Sequence, residues 1–131
     1  MQQTGFTLFE LLIVLAIMSI LIGLTYPSYR HHLIKAHRLN ARLTLLNIAN
    51  RLEDYYSVHH EYSGASLSTL GFSSQTEDHA YELVLEVDDS HYLIEVKPLH
   101  TQTQDTLCAT FSLDDKGNKK ISGSGTLGEC W

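Results

Sequence analysis

The sequence predicts an α+β fold, with one long N-terminal helix packed on a small antiparallel β-sheet. The helix has a membrane half and an amphipathic half. Three observations carry this reading. From Leu11 to Tyr29 the chain holds no charged residue, about the length a helix needs to cross a hydrocarbon layer. After Arg30, apolar residues recur at helical spacing. Beyond Tyr81 they alternate with polar ones, as in half-buried strands.

The helix is expected from residue 6 to about residue 57, broken or bent around Gly23–Pro27. Proline removes one backbone hydrogen bond and crowds the preceding turn, and Gly23, Thr25 and Ser28 add little helix propensity. In the second half, Ile34, Ala41, Leu45, Ile48, Leu52 and Tyr55 fall on one face, which must be buried. Leu39, Leu43 and Leu46 lie on a different side, where they either meet neighbouring subunits or broaden the core stripe. His31, Lys35, Arg38 and Arg42 form a third, basic stripe. Gly64 is the expected breaker near the end of the helix, at Ser57–Ser63.

Residues 58–80 read as a polar connection pinned by Leu67, Leu70 and Phe72. Strands follow at Tyr81–Val87, at His91–Lys97 (stopped by Pro98), and at Leu107–Leu113 after a polar loop. Asp88-Asp89-Ser90 and Asp114–Asn118 are turns, and a short, weak strand is expected at Lys119–Ser122.

Roughly 75 residues follow the N-terminal helical region, near the lower limit for a self-sufficient core. The two cysteines, Cys108 and Cys130, allow one intramolecular pairing. Bonded, they would close a loop of about 20 residues and contribute roughly 3 kcal/mol. Two reduced thiols in a cytosolic protein are the alternative, and a membrane segment with an exported head favours the bond. Net charge is −6, yet Arg30, Lys35, Arg38, Arg42 and Arg51 lie in a stretch without Asp or Glu.

The order of parts at the N-terminus is specific. A secretory signal has its cleavage site after the apolar run. Here the candidate cut, Gly5|Phe6, precedes it, so cutting would leave the helix on the mature chain. Gly5-Phe6-Thr7-Leu8-Phe9-Glu10-Leu11 resembles the class III signal of type IV prepilins and type II secretion pseudopilins, with Phe9 where Ile is commoner and an uncharged leader. The resemblance implies a leader at residues 1–5, a transmembrane and filament-core helix at 6–29, and a periplasmic head at 30–131. It implies cleavage after Gly5 and N-methylation of Phe6 by the prepilin peptidase, and assembly by an inner-membrane platform. Glu10, costly beside an apolar run, would pair with the Phe6 amine of a neighbouring subunit. Pro27 falls where many type IV pilins have a helix-kinking proline, and the Cys108–Cys130 segment resembles the disulfide-bounded region of small minor pilins. The positive-inside rule would place the basic flank in the cytoplasm. The leader implies the opposite, and its order of parts is the more specific signal.

The expected function is therefore a structural, minor pilus subunit supporting adhesion, twitching or DNA uptake. It would sit in the inner membrane before assembly and in a surface pilus afterwards. A type II secretion pseudopilin and a non-polymerising, membrane-anchored binding module are the alternatives. No catalytic signature is readable, and no cofactor is expected. The eight histidines lack metal-ligand spacing, and Asp114–Asn118 lacks the ligand pattern of a calcium loop. The stripe of His31, Lys35, Arg38 and Arg42 is a candidate contact for DNA phosphates.

Overall fold

The computed structural model describes Gly5–Trp131; the expected leader residues 1–4 lie outside the described residues. Helix α1 runs Leu8–His59. Strands β1 (Tyr81–Val87) and β2 (Tyr92–Pro98) are followed by a 3-10 helix (His100–Gln104). Strands β3 (Phe111–Asp114) and β4 (Lys119–Ile121) and a short helix α2 (Leu127–Cys130) complete the order. The chain divides into two compact units, one through Leu33 and one from Ile34 to Trp131.

In the first unit the large apolar side chains from Phe6 to Tyr29 are exposed, and the helix is long and apolar enough to cross a membrane. The helix is not broken at Gly23–Pro27: α1 continues through both residues. Proline deprives the helix of a single N–H, and hydrogen bonding resumes on either side. The Thr25 hydroxyl donates to the Leu21 carbonyl at 2.9 Å.

In the second unit the predicted stripe is buried at Ala41, Leu45, Ile48 and Leu52, joined by Ala49. Ile34 and Tyr55 are half-buried. The sheet is antiparallel, in the order β1-β2-β3-β4. Its register stacks apolar residues in rows on the inner face, with Leu83 opposite Val96 and Val96 opposite Phe111. Leu85, Ile94 and Leu113 form the next row. These rows and the α1 stripe bury one another in a single core. Leu39, Leu43 and Leu46 remain exposed, so they do not broaden that stripe.

Several boundaries differ from expectation. The second strand runs Tyr92–Pro98, so Pro98 is its last residue, paired with Tyr81 at the strand end where a missing N–H is tolerated. His60 ends the helix rather than Gly64. It adopts φ of 61°, a left-handed conformation in which His is enriched, and its N–H donates to Tyr56 O. Gly64, with φ of 86°, serves the following turn. The third strand begins at Phe111, not Leu107, because residues 105–109 form a tight loop. In that loop the Ala109 N–H donates to Asp105 O and Ala109 has φ of 52°. The tail also holds a short helix. Its α2 starts from Thr126, whose N–H and hydroxyl both donate to Glu129 at 2.8 Å.

Cys108 and Cys130 are bonded, with Cα atoms 5.6 Å apart. The segment after β4 passes very close to Leu107. A Cβ on Gly123 would collide with the Leu107 carbonyl, and one on Gly125 would lie 2.8 Å from the Leu107 side chain. Glycine has no Cβ, and that permits the approach. Trp131 closes the arrangement. Its indole N–H donates to Lys120 O at 3.3 Å, and its ring packs edge-on against Phe111 at 5.7 Å.

The connection ahead of β1 is anchored at Asp78. His37 Nδ1 lies 2.7 Å from one carboxylate oxygen; the Thr76 hydroxyl (2.6 Å) and the Ala80 N–H (3.1 Å) donate to the other. Burial opposes the charge, but these bonds and one from Asn40 outweigh it and hold the carboxyl at about 2.

Two outcomes follow. Cys130→Ser should lower the stability of the full chain in micelles by roughly 3 kcal/mol, read as a lower urea midpoint. A carboxylate with a depressed pKa contributes stability above its unfolded value and loses it as pH falls through the folded one. Hydrogen exchange at the Ala80 amide should therefore be slow near neutrality and accelerate as pH approaches about 2, beyond the intrinsic pH dependence. Asp78→Asn should remove that acceleration.

Candidate assembly and nucleic-acid interfaces

In the first unit, Gly5 and Phe6 precede α1 and are exposed, Phe6 at 86%. Glu10 sits in the first turn. Its Oε2 accepts from the Thr7 N–H and from the Thr7 hydroxyl, each at 2.9 Å, and the Glu10 N–H donates to Thr7 Oγ1 at 3.3 Å. This reciprocal pair is a capping box. It keeps the carboxylate within the first turn of the apolar helix, on an exposed surface. His31 is also exposed.

The second unit divides the expected basic stripe. Lys35 is exposed. Arg38 is not free: its Nε and Nη2 each lie 2.6 Å from an oxygen of Asp105. The Asp105 side chain is 1% exposed and the Arg38 side chain 14%. Asp105 also accepts from the Cys108 N–H at 3.2 Å and from Gln102 Nε2 at 3.4 Å. Burial opposes its charge, but the Arg38 bonds and the Cys108 N–H hold it below the ordinary carboxylate range. Gln102 also donates to the hydroxyl of buried Tyr81 at 2.8 Å. Burial pushes that phenol up to about 12, so it stays neutral. Arg42 is half-buried, and its Nε is enclosed without a hydrogen-bond partner. Arg38 thus fastens α1 to the disulfide loop, a role that side-chain spacing along one helix could not disclose.

A second cationic feature was not apparent in the sequence. The β3–β4 hairpin carries Lys116, Lys119 and Lys120, all exposed. The Lys119 ammonium lies 5.0 Å from the Trp131 ring centroid, within reach of a cation–π contact. The intervening acids are already engaged. Asp114 accepts the N–H groups of Lys116 and Asn118, and Asp115 lies 3.0 Å from His91 Nδ1. The hairpin edge presents exposed ammonium groups beside an aromatic ring, a pairing suited to nucleic acid. Among the described residues no cluster of three or more His, Cys, Asp or Glu could hold a metal ion.

Comparison with known proteins fits this architecture. Residues 1–26 match the prokaryotic N-terminal methylation motif. Residues 27–112 match the family described as type IV minor pilin ComP, DNA uptake sequence receptor. The chain is 35% identical over 75 residues to a fimbrial protein of Neisseria meningitidis serogroup B, a match covering 57% of this chain and 44% of that protein. The minor pilin PilV of Neisseria meningitidis superposes with a TM-score of 0.58 at 23% identity, covering 76% of this chain and 94% of PilV. A type IV pilin from Shewanella oneidensis gives 0.52 at 23% identity, covering 75% and 97%. Those two share the fold: a long helix on a small antiparallel sheet. With the motif at its N-terminus and the family match over most of the remainder, the chain belongs to the ComP family of type IV minor pilins.

Proposed function

We propose that this chain is a minor subunit of a type IV pilus that captures DNA for uptake. The observation that carries the reading is the match of residues 27–112 to a family described as a DNA uptake sequence receptor. The lysine-bearing β3–β4 hairpin beside Trp131 supports it physically. The chain as a whole is acidic, with a net charge of −6, so attraction to a polyanion must be local. Lys116, Lys119 and Lys120 are the proposed phosphate contacts. Lys35 and His31, the exposed members of the helical stripe, are a second candidate set. Arg38, committed to Asp105, and half-buried Arg42 would support the fold beneath them.

The route to the filament follows from the N-terminus. The prepilin peptidase cuts between Gly5 and Phe6 and methylates Phe6. The subunit then waits as a single-span inner-membrane protein with its head in the periplasm, until the assembly platform moves it into the pilus. There Glu10 exchanges its Thr7 partners for the Phe6 amine of a neighbouring subunit. The helix, unbroken in the isolated chain, bends at Gly23 and Pro27 as it packs. Leu39 and Leu46 meet other pilins.

Two measurements test this. Salt-dependent binding of duplex DNA to the full chain in micelles should weaken steeply as salt rises. Lys119→Ala/Lys120→Ala should lower the salt slope by about 1 for each lysine that touches a phosphate; an unchanged slope would move the site to the helical set, where Lys35→Ala is the corresponding arm. For assembly, processed Glu10→Ala should accumulate in the membrane but be depleted from sheared filaments. An unpaired amine in a low-dielectric bundle costs several kcal/mol. Mutant entry at the wild-type level would remove the pairing mechanism, and a wild-type chain missing from the filaments would favour a non-polymerising module.

A further inference from the structure

The second unit holds a cleft of about 470 Å³ between α1 and the connection leading into β1. Its size falls within the range of small-molecule sites, about 300–1,000 Å³. The apolar part of its lining is Leu43, Phe72 and Leu83, and the polar part includes Thr44, Asn47 and Glu77. Thr44 and Asn47 are three positions apart on α1 and so share a face. Phe72 is set in place by the turn at Gly71, whose φ is 85°; the Phe72 N–H donates to Leu67 O at 2.8 Å.

Polar groups lining this cleft fall into two kinds. Some are already engaged: Asn40 bonds Asp78, the Ser73 hydroxyl donates to Gln75 O at 2.6 Å, and Gln75 Oε1 lies 3.1 Å from His79 Nδ1. These bonds fix the wall. The side chains of Thr44, Asn47 and Glu77 have no hydrogen-bond or ion-pair partner among the described residues. A hydroxyl and an amide that both donate and accept, and a carboxylate that only accepts, thus share one cleft with Leu43, Phe72 and Leu83.

We propose that this cleft is a binding site for a neutral saccharide. A pyranose ring has an apolar C–H face and a rim of hydroxyls that both donate and accept. The C–H face suits Phe72 and Leu43, and the hydroxyl rim suits Asn47, Thr44 and the Glu77 carboxylate. No lysine or arginine lines the cleft, and Glu77 repels anions, so the cleft favours a neutral ligand over a phosphate. One carboxylate is too few for calcium, which takes 6–8 oxygen ligands. The site is therefore chemically separate from the lysine hairpin.

The test uses the full chain in micelles of an amine-oxide detergent, which brings no sugar headgroup. Saturation-transfer NMR with N,N′-diacetylchitobiose and with maltose as probes should show saturable binding of at least one, with Kd on the order of 1 mM. Asn47→Ala and Phe72→Ala should each weaken it roughly fivefold or more, the loss of one polar or packing contact. Thr44→Val removes the hydroxyl at nearly constant shape and should also weaken it, whereas Lys119→Ala/Lys120→Ala should not. Absence of saturable binding by both sugars would overturn the proposal. So would binding unaffected by Asn47→Ala in a variant that keeps its far-ultraviolet spectrum. Resonances of cleft residues that shift with protein concentration alone, with no response to sugar, would assign the cleft to a second copy of the chain and overturn it equally.

Discussion

The head depends on one buried carboxylate. Asp105 receives two bonds from Arg38 of the long helix, one from the Cys108 backbone and one from Gln102 of the 3-10 helix. Arg38 reaches it from 67 positions away, whereas Gln102 and Cys108 are three residues to either side of it. Without Arg38 the buried carboxylate would lose its counter-charge, and breaking such a pair costs about 3–5 kcal/mol. The gain is positional as much as energetic. The loop that Asp105 organises carries Cys108 to Cys130, so a bond from the helix helps to place the covalent bond.

This arrangement also separates two kinds of cation. Arg38 is nearly enclosed and serves the fold; Lys116, Lys119 and Lys120 remain in solvent. Guanidinium and ammonium groups suit these roles. The planar guanidinium meets a carboxylate with two parallel bonds and is weakly hydrated, whereas an ammonium is a compact, strongly hydrated charge best left in water. An acidic domain can in this way keep a small positive edge. Of the carboxylates nearest that edge, Asp114 accepts backbone bonds of the turn and Asp115 lies beside His91, while the three lysines stay exposed.

What was legible in the sequence was whatever depends on periodicity. The stripe from Ala41 to Leu52, the first two strands and the final hairpin all came from the spacing of apolar residues, and the leader motif came from the order of its parts. What was hidden depends on contacts between distant segments. Nothing in the run from Arg30 to Arg51 distinguishes Arg38 from Lys35, because the distinction is made by Asp105, 67 positions away from Arg38. The strand start at Phe111 was missed for a related reason. Leu107, Cys108 and Ala109 alternate as a strand would, but the bonds to Asp105 turn them into a loop. His60 was missed as the helix terminator because glycine is the ordinary occupant of its backbone region, and His reaches it less often.

The close passage of Gly123 and Gly125 over Leu107 sets where this head is free to diversify. Any side chain at Gly123 would have to displace backbone, so this stretch of the disulfide loop is closed to sequence drift. The hairpin tip meets no such obstacle. Gly117 holds the turn with φ of 76°, but Lys116, Asn118, Lys119 and Lys120 around it are exposed. Substitutions at the tip therefore meet no steric obstacle, while the seam beneath tolerates none at Gly123. A partner that applies selective pressure to this face can reshape the lysine edge by single substitutions without a search for a new fold.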